Sequence, residues 1–194
     1  MMEVSLELWY ICFMKNERKN EGIDIMEPKQ IVKKALEDYQ RLTGLRSYIV
    51  YDNIEVQSAS EKNYFCKCLK ISTKALKMCE ECSKETYSNA RQINKECVYS
   101  CHAGLIKWAV PVNEGDFHCV IVSEGILAQK QVEEAEKWAK YLADEYDLNE
   151  QMLLRNFKII QTMDEGQMNA SIELLKNLLA YQFAIHREES VTAA

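Results

Sequence analysis

The sequence predicts a mixed α/β (α+β) fold that finishes in an all-helical tail, and three observations carry that prediction. Short β-branched and aromatic runs come in two pairs, each split by turn residues. Helical spacing of apolar residues precedes the first pair and fills the interval before the second. After Gly125 the strand signals stop and long amphipathic stretches occupy the remainder.

Taken in order, residues 28–43 place Ile31, Ala35, Leu36, Tyr39 and Leu42 at helical spacing behind Pro28, a tolerated first-turn residue. Gly44 then stops the helix. Residues 47–51 and 54–57, joined by Asp52-Asn53, read as a hairpin. Helical pattern returns over 62–94, in a first piece at 65–71 and a longer one carrying Cys79, Cys82, Tyr87 and Ala90. A second hairpin spans 107–112 and 117–122 around Asn113-Glu114-Gly115-Asp116. The tail is expected as helices over 131–146, 148–163 and 166–187. In the last of these, Leu174, Leu175, Leu178, Leu179 and Phe183 form an apolar stripe, a packing face or a dimer face. The expected organisation is an N-terminal extension over 1–27, a main domain over 28–130 and a helical tail over 131–194. Met26, just ahead of the first clear helix, is an alternative start.

Composition narrows the function classes. With 47% hydrophobic and 28% charged residues, the chain is of the folded globular class. A net charge of −6 argues against direct nucleic-acid binding, which needs clustered Lys and Arg. Lys15 to Lys19 is the only contiguous basic cluster, and it reads as solvated. No apolar run reaches the roughly 18–20 residues of a membrane span, and residues 1–14 lack the features of a signal peptide. A cytoplasmic location is expected.

Eight cysteines in a cytoplasmic chain are expected as free thiols or ligands rather than disulfides. Cys12 lies apart, and Cys119 in an apolar strand reads as buried and inert. The other six, Cys66, Cys68, Cys79, Cys82, Cys97 and Cys101, cluster with His102 inside forty residues. The two-residue spacer of Cys79-Glu80-Glu81-Cys82 lets two thiolates converge on one ion, zinc or iron–sulfur. Buried core thiols and a reversible dithiol switch remain open readings of the same residues. Glu80, Glu81 and Glu85 count against an activated nucleophile, and no catalytic triad, phosphate loop or carboxylate pair stands out, so no catalytic residues are expected.

Tyr99-Ser100-Cys101-His102-Ala103-Gly104-Leu105, followed by Trp108-Ala109-Val110-Pro111-Val112, resembles the PocR ligand-binding sensory domain. The likeness covers about residues 30–130 and includes Thr43-Gly44-Leu45, Phe65-Cys66 and Cys79-Glu80-Glu81-Cys82. The resemblance implies a PAS- or GAF-like antiparallel sheet flanked by helices, around a pocket for a simple alcohol, diol or related hydrocarbon derivative. It selects Cys66, Cys79, Cys82 and Cys101 as metal ligands, zinc or alternatively an iron–sulfur cluster. Tyr64, Phe65, Tyr99, His102, Gly104 and Trp108 are the expected ligand-binding set, although for the aromatic members ordinary core is an equal reading.

Two departures stand out. Many relatives end the last core strand with glycine-glutamine, where this chain has Ser123-Glu124-Gly125-Ile126. The tail carries neither a basic helix-turn-helix nor kinase motifs, so output is expected through a separate signalling protein or a homodimer of the C-terminal helices. A redox or iron–sulfur sensor is the second expectation and a thiol-dependent enzyme the third.

Overall fold

The computed structural model of the protein describes residues 26–51 and 63–192. The 52–57 half of the first expected hairpin, the basic cluster and Cys12 lie outside the described residues. The elements run α1 (Pro28–Thr43), β1 (Ser47–Val50), α2 (Tyr64–Leu69), α3 (Thr73–Ile93), β2 (Cys97–Ser100), β3 (Ile106–Glu114), β4 (Phe117–Ser123), α4 (Gln129–Glu133), α5 (Ala135–Tyr146), α6 (Glu150–Phe157) and α7 (Glu165–Thr192). The strands form one antiparallel sheet in the order β1-β4-β3-β2 with helices on both faces, the expected fold class.

Local chemistry sets the helix ends. α1 opens on a capping box between Glu27 and Gln30 with Pro28 in its first turn, and closes on Gly44 at φ 75°. Asn63, Ser72 and Asn149 cap α2, α3 and α6 through side-chain oxygens.

The period-two alternation of the strands divides the core. Trp108, Val110, Val112, Cys119 and Ile121 face α1 and α7, meeting Ile31, Val32, Ala35 and Tyr39 on one helix and Ile172, Leu175, Leu179 and Phe183 on the other. Ala109, Val120, Val122 and Val50 face Tyr87 and Ala90 of α3. A third cluster joins Phe65 and Leu69 of α2 to Leu142 of α5 and to Leu153 and Phe157 of α6. α7 therefore shares its core with the sheet, with its leucine stripe used for packing within the chain, while α5 and α6 pack with α2 in a cluster of their own.

Three elements differ from the sequence reading. Residues 97–100 form an edge strand, β2, which the cysteine spacing had obscured. The expected helix over 131–146 breaks at Glu134, whose φ of −100° and ψ of 13° are not helical. The expected helix over 148–163 ends at Phe157, because the chain turns extended to exchange backbone hydrogen bonds with Leu127 through Gln161 and Met163.

Candidate functional site

Two local irregularities in the sheet build the site. β3 and β4 pair Ala109 with Val122 and, further on, Ile106 with Ile126. Between those pairs one chain spends Lys107 and Trp108 and the other Ser123, Glu124 and Gly125, so the second carries one extra residue. This is a β-bulge, which bends a strand and re-aims its side chains. The Ser123 hydroxyl replaces a ladder partner by accepting from the Trp108 N–H at 2.9 Å. Gly125 is needed there, since a Cβ would lie 2.6 Å from Leu105.

The second irregularity is the turn from Cys101 to Leu105. The Gly104 N–H donates to the Cys101 carbonyl at 2.8 Å, and the Cys101 N–H to the Leu105 carbonyl at 2.9 Å. Gly104 holds φ at 79°, and a Cβ on it would strike the Trp138 ring at 2.6 Å. The Trp138 indole donates to the Ala103 carbonyl at 2.7 Å, pinning the turn to α5.

Two cavities meet at these features. The inner one, about 30 Å³, has room for one or two waters. Cys66, Cys79, Cys82, Cys101, His102, Tyr99 and Lys107 all border it. His102 bridges it, with Nε2 3.0 Å from the Cys79 Sγ and Nδ1 2.7 Å from the Tyr146 hydroxyl. Burial lowers the His102 pKa, with Lys107 and Lys70 adding to the effect, and a neutral imidazole satisfies both contacts in either tautomer. Burial also pushes the Cys82 thiol up, Cys101 adds to that, and Lys107 opposes it. The Tyr99 phenol is raised by burial against the pull of Lys107.

The outer cavity, about 250 Å³, is larger than a roughly 150 Å³ void that accepts benzene. Its largely apolar surface carries polar side chains from several elements: Gln40 from α1, Arg46, Ser47 and Tyr48 at the start of β1, Asn63, and Glu124 beside Gly125 at the bulge. Lys107, Tyr48 and Cys66 border both cavities. The Lys107 Nζ donates to the Tyr48 hydroxyl at 2.6 Å. Burial opposes its charge, but Tyr48, Tyr99, Cys66 and Cys101 around it outweigh burial and hold its pKa well above the ordinary lysine value. Glu124 accepts from the Arg46 N–H at 3.2 Å, and the buried Ser47 hydroxyl has no hydrogen-bond partner among the described residues.

The structure brings together the four selected cysteines, Tyr99 and His102, all around the inner cavity. It does not bring the remaining expected ligand-binding residues to either cavity. Tyr64 is 60% exposed at the start of α2, beneath the Lys67 ammonium. Phe65 is buried edge-on against Phe157 at 5.3 Å. Gly104 serves the turn, and Trp108 is fully buried on the α1/α7 face, opposite Lys107 by strand alternation. Cys68 accepts from Asn156 at 3.3 Å, and burial takes the Cys119 thiol to about 12. Sequence reading missed Lys107, whose signal was a lone charge on the inward face of an otherwise apolar strand. Tyr48, Ser47 and Arg46 gave no signal, because the fold alone carries β1 to this place.

The thiols suit a soft ion by type. Among the described residues, no group of three or more His, Cys, Asp and Glu side chains is placed to bind a metal as they stand. No helix among them is long and apolar enough to cross a membrane. A family model described as the sensory domain found in PocR matches residues 25–186. No curated protein and no solved structure matches the chain.

Proposed function

The chain belongs to the family of the sensory domain found in PocR, and on that premise we propose that it is a small-molecule sensor whose ligand occupies the outer cavity at the β4 bulge. The observation that carries this reading is the bulge itself, which sets Glu124 and Gly125 against a cavity of about 250 Å³ instead of continuing the ladder. The size suits an alcohol, a diol or a related hydrocarbon derivative. The way out is short: Lys107 borders the cavity, and the next residue, Trp108, bears on α1 and α7 from the opposite face. A ligand that pulls on Lys107 shifts β3 and repacks α7, which passes the signal to a separate cytoplasmic protein or a second copy of the chain. A thermal-shift screen of small alcohols and diols tests the sensor, since a ligand of the native state raises the midpoint. No shift with any of them, together with none from short organic acids, would sink it.

The convergence of Cys66, Cys79, Cys82 and Cys101 on one ion-sized cavity supports a second proposal, that these thiols hold zinc or an iron–sulfur cluster. Their side chains would have to rotate to do so. Anaerobic purification with metal analysis and an absorption spectrum decides it. Stoichiometric zinc, or a visible band lost in air, is the expected result; metal-free folded protein overturns it and leaves a redox dithiol as the reading of the cluster.

A further inference from the structure

A third cavity adjoins the outer one at the bulge. It measures about 270 Å³, and Asn63, Glu124 and Gly125 border both. The rest of its wall comes from Gly44 and Leu45 after α1, Tyr64 at the start of α2, and Ile159, Ile160 and Gln161 beyond α6.

The fold fastens these walls. The Asn63 side-chain oxygen accepts from the Phe65 N–H at 2.9 Å, the cap that sets Tyr64 in the first turn of α2. The segment after α6 is pinned by Leu127, whose N–H donates to the Gln161 carbonyl and whose carbonyl accepts from the Met163 N–H, both at 3.0 Å. The Gln161 side chain also donates to the Thr43 carbonyl at 3.4 Å, tying that segment to the end of α1. A wall so fastened is in place before a ligand arrives.

The two cavities differ in what they offer. Tyr64 is 60% exposed and Ile159 is 67% exposed. One exposed apolar residue is ordinary on a protein surface, but two from different elements border this one cavity, together with the buried Leu45 and Ile160, and make an apolar lane. The outer cavity adds hydrogen-bonding groups. The Ser47 hydroxyl is buried without a partner among the described residues, and the Glu124 carboxylate has lone pairs beyond the one that the Arg46 N–H uses. A three-carbon diol would engage these groups and leave the lane to water.

We propose that the ligand is a medium-chain alkyl alcohol or diol, with its hydroxyl end in the outer cavity and its chain in the lane against Tyr64 and Ile159. This rests on the outer cavity being the sensory site and names what that site recognises. The bulge is then the junction of the two parts, because its residues border both.

Titration calorimetry of the full chain with propane-1,2-diol, pentane-1,2-diol, octane-1,2-diol and the dimethyl ether of the last tests it. Octane-1,2-diol is expected to bind at least about tenfold more tightly than propane-1,2-diol, since each buried methylene strengthens binding about two- to fourfold. The dimethyl ether keeps the chain and loses both donors, so it is expected to bind more weakly than its diol. Tyr64→Ser and Ile159→Ser, at exposed positions outside the core clusters, should each lower the ratio of octanediol to propanediol affinity severalfold. Leu42→Ser, at an equally exposed apolar position that borders neither cavity, should leave that ratio unchanged. A flat series, an ether that binds as well as its diol, or a ratio that Tyr64→Ser and Ile159→Ser lower no more than Leu42→Ser does, overturns the proposal while the sensory cavity stands. Binding by none of the diols overturns it too, and the short organic acids of the thermal-shift screen then decide the sensor itself.

Discussion

The Lys107 ammonium and the Tyr48 hydroxyl meet at 2.6 Å although their strands are not neighbours: β4 lies between β3 and β1 in the sheet. Both side chains rise from the α3 face of the sheet, over the strand whose bulge opens the outer cavity. One contact thus spans the sheet at the place where ligand entry would disturb it.

Tyr48→Phe leaves the enclosed ammonium without its hydroxyl partner. The expected cost is about 1–3 kcal/mol at neutral pH, the range for depriving a buried charged group of a hydrogen bond. Urea denaturation measures it, and an unchanged midpoint would mean that the contact contributes nothing in the ligand-free protein.

Tyr39 of α1 and Ser171 of α7 share a buried hydrogen bond of 2.7 Å, a polar tie within the apolar seam between these helices. Tyr39→Phe and Ser171→Ala should each cost about 1–2 kcal/mol. The double variant should cost less than the sum, because the second change removes a partner already orphaned. Strict additivity in denaturation would contradict the contact.

The two site glycines should respond by different mechanisms. Gly104→Ala combines a left-handed backbone at φ 79° with a clash against Trp138, for an expected loss of about 2–4 kcal/mol. Gly125→Ala meets only the Leu105 side chain, which is fully buried and has little room to yield, for about 1–3 kcal/mol. Calorimetric unfolding of both variants checks the order.

Glu96, ahead of β2, is bonded to Lys176 of α7 at 3.2 Å. Its pKa is lowered first by its own backbone N–H and then by Lys176. A carboxylate with a depressed folded pKa contributes stability above its unfolded value, near 4.5, and loses it as pH falls through the folded one. The pair is exposed, so Glu96→Gln should cost under about 1 kcal/mol at pH 7. The difference from the parent protein should shrink in denaturation curves as pH is taken below 4.5 and disappear once Glu96 is protonated in the folded protein.

Cys119 is fully buried with its thiol pushed up to about 12, whereas the other described cysteines are half-buried. Alkylation of the native protein at pH 8 should spare Cys119 and reach it only in denaturant, as read by peptide mass spectrometry. Labelling of Cys119 at the rate of the others would contradict its place in the core.

Short-range chemistry made much of the fold legible. Pro28 and Gly44 bound α1, the turn at Gly115 joins β3 to β4, and the leucine stripe of α7 announced a buried face, because each depends on residues within a few positions of one another. The shared cavity of Cys66, Cys79, Cys82 and Cys101 was signalled by spacing and by family likeness together. Aromatic composition misled: Phe65 and Trp108 are core, since an aromatic side chain near a site motif reads the same whether it faces a cavity or the opposite side of its strand.

The sequence by itself determined most of the element types, the antiparallel hairpin of β3 and β4 and the clustering of the thiols. Only the tertiary structure decided that Tyr48, Lys107 and Glu124 share one cavity. Those residues come from three strand ends far apart in the chain, and their meeting follows from strand order and from one extra residue in β4. Neither leaves a local pattern, because pairing between distant segments is set by how the whole sheet closes around its cores.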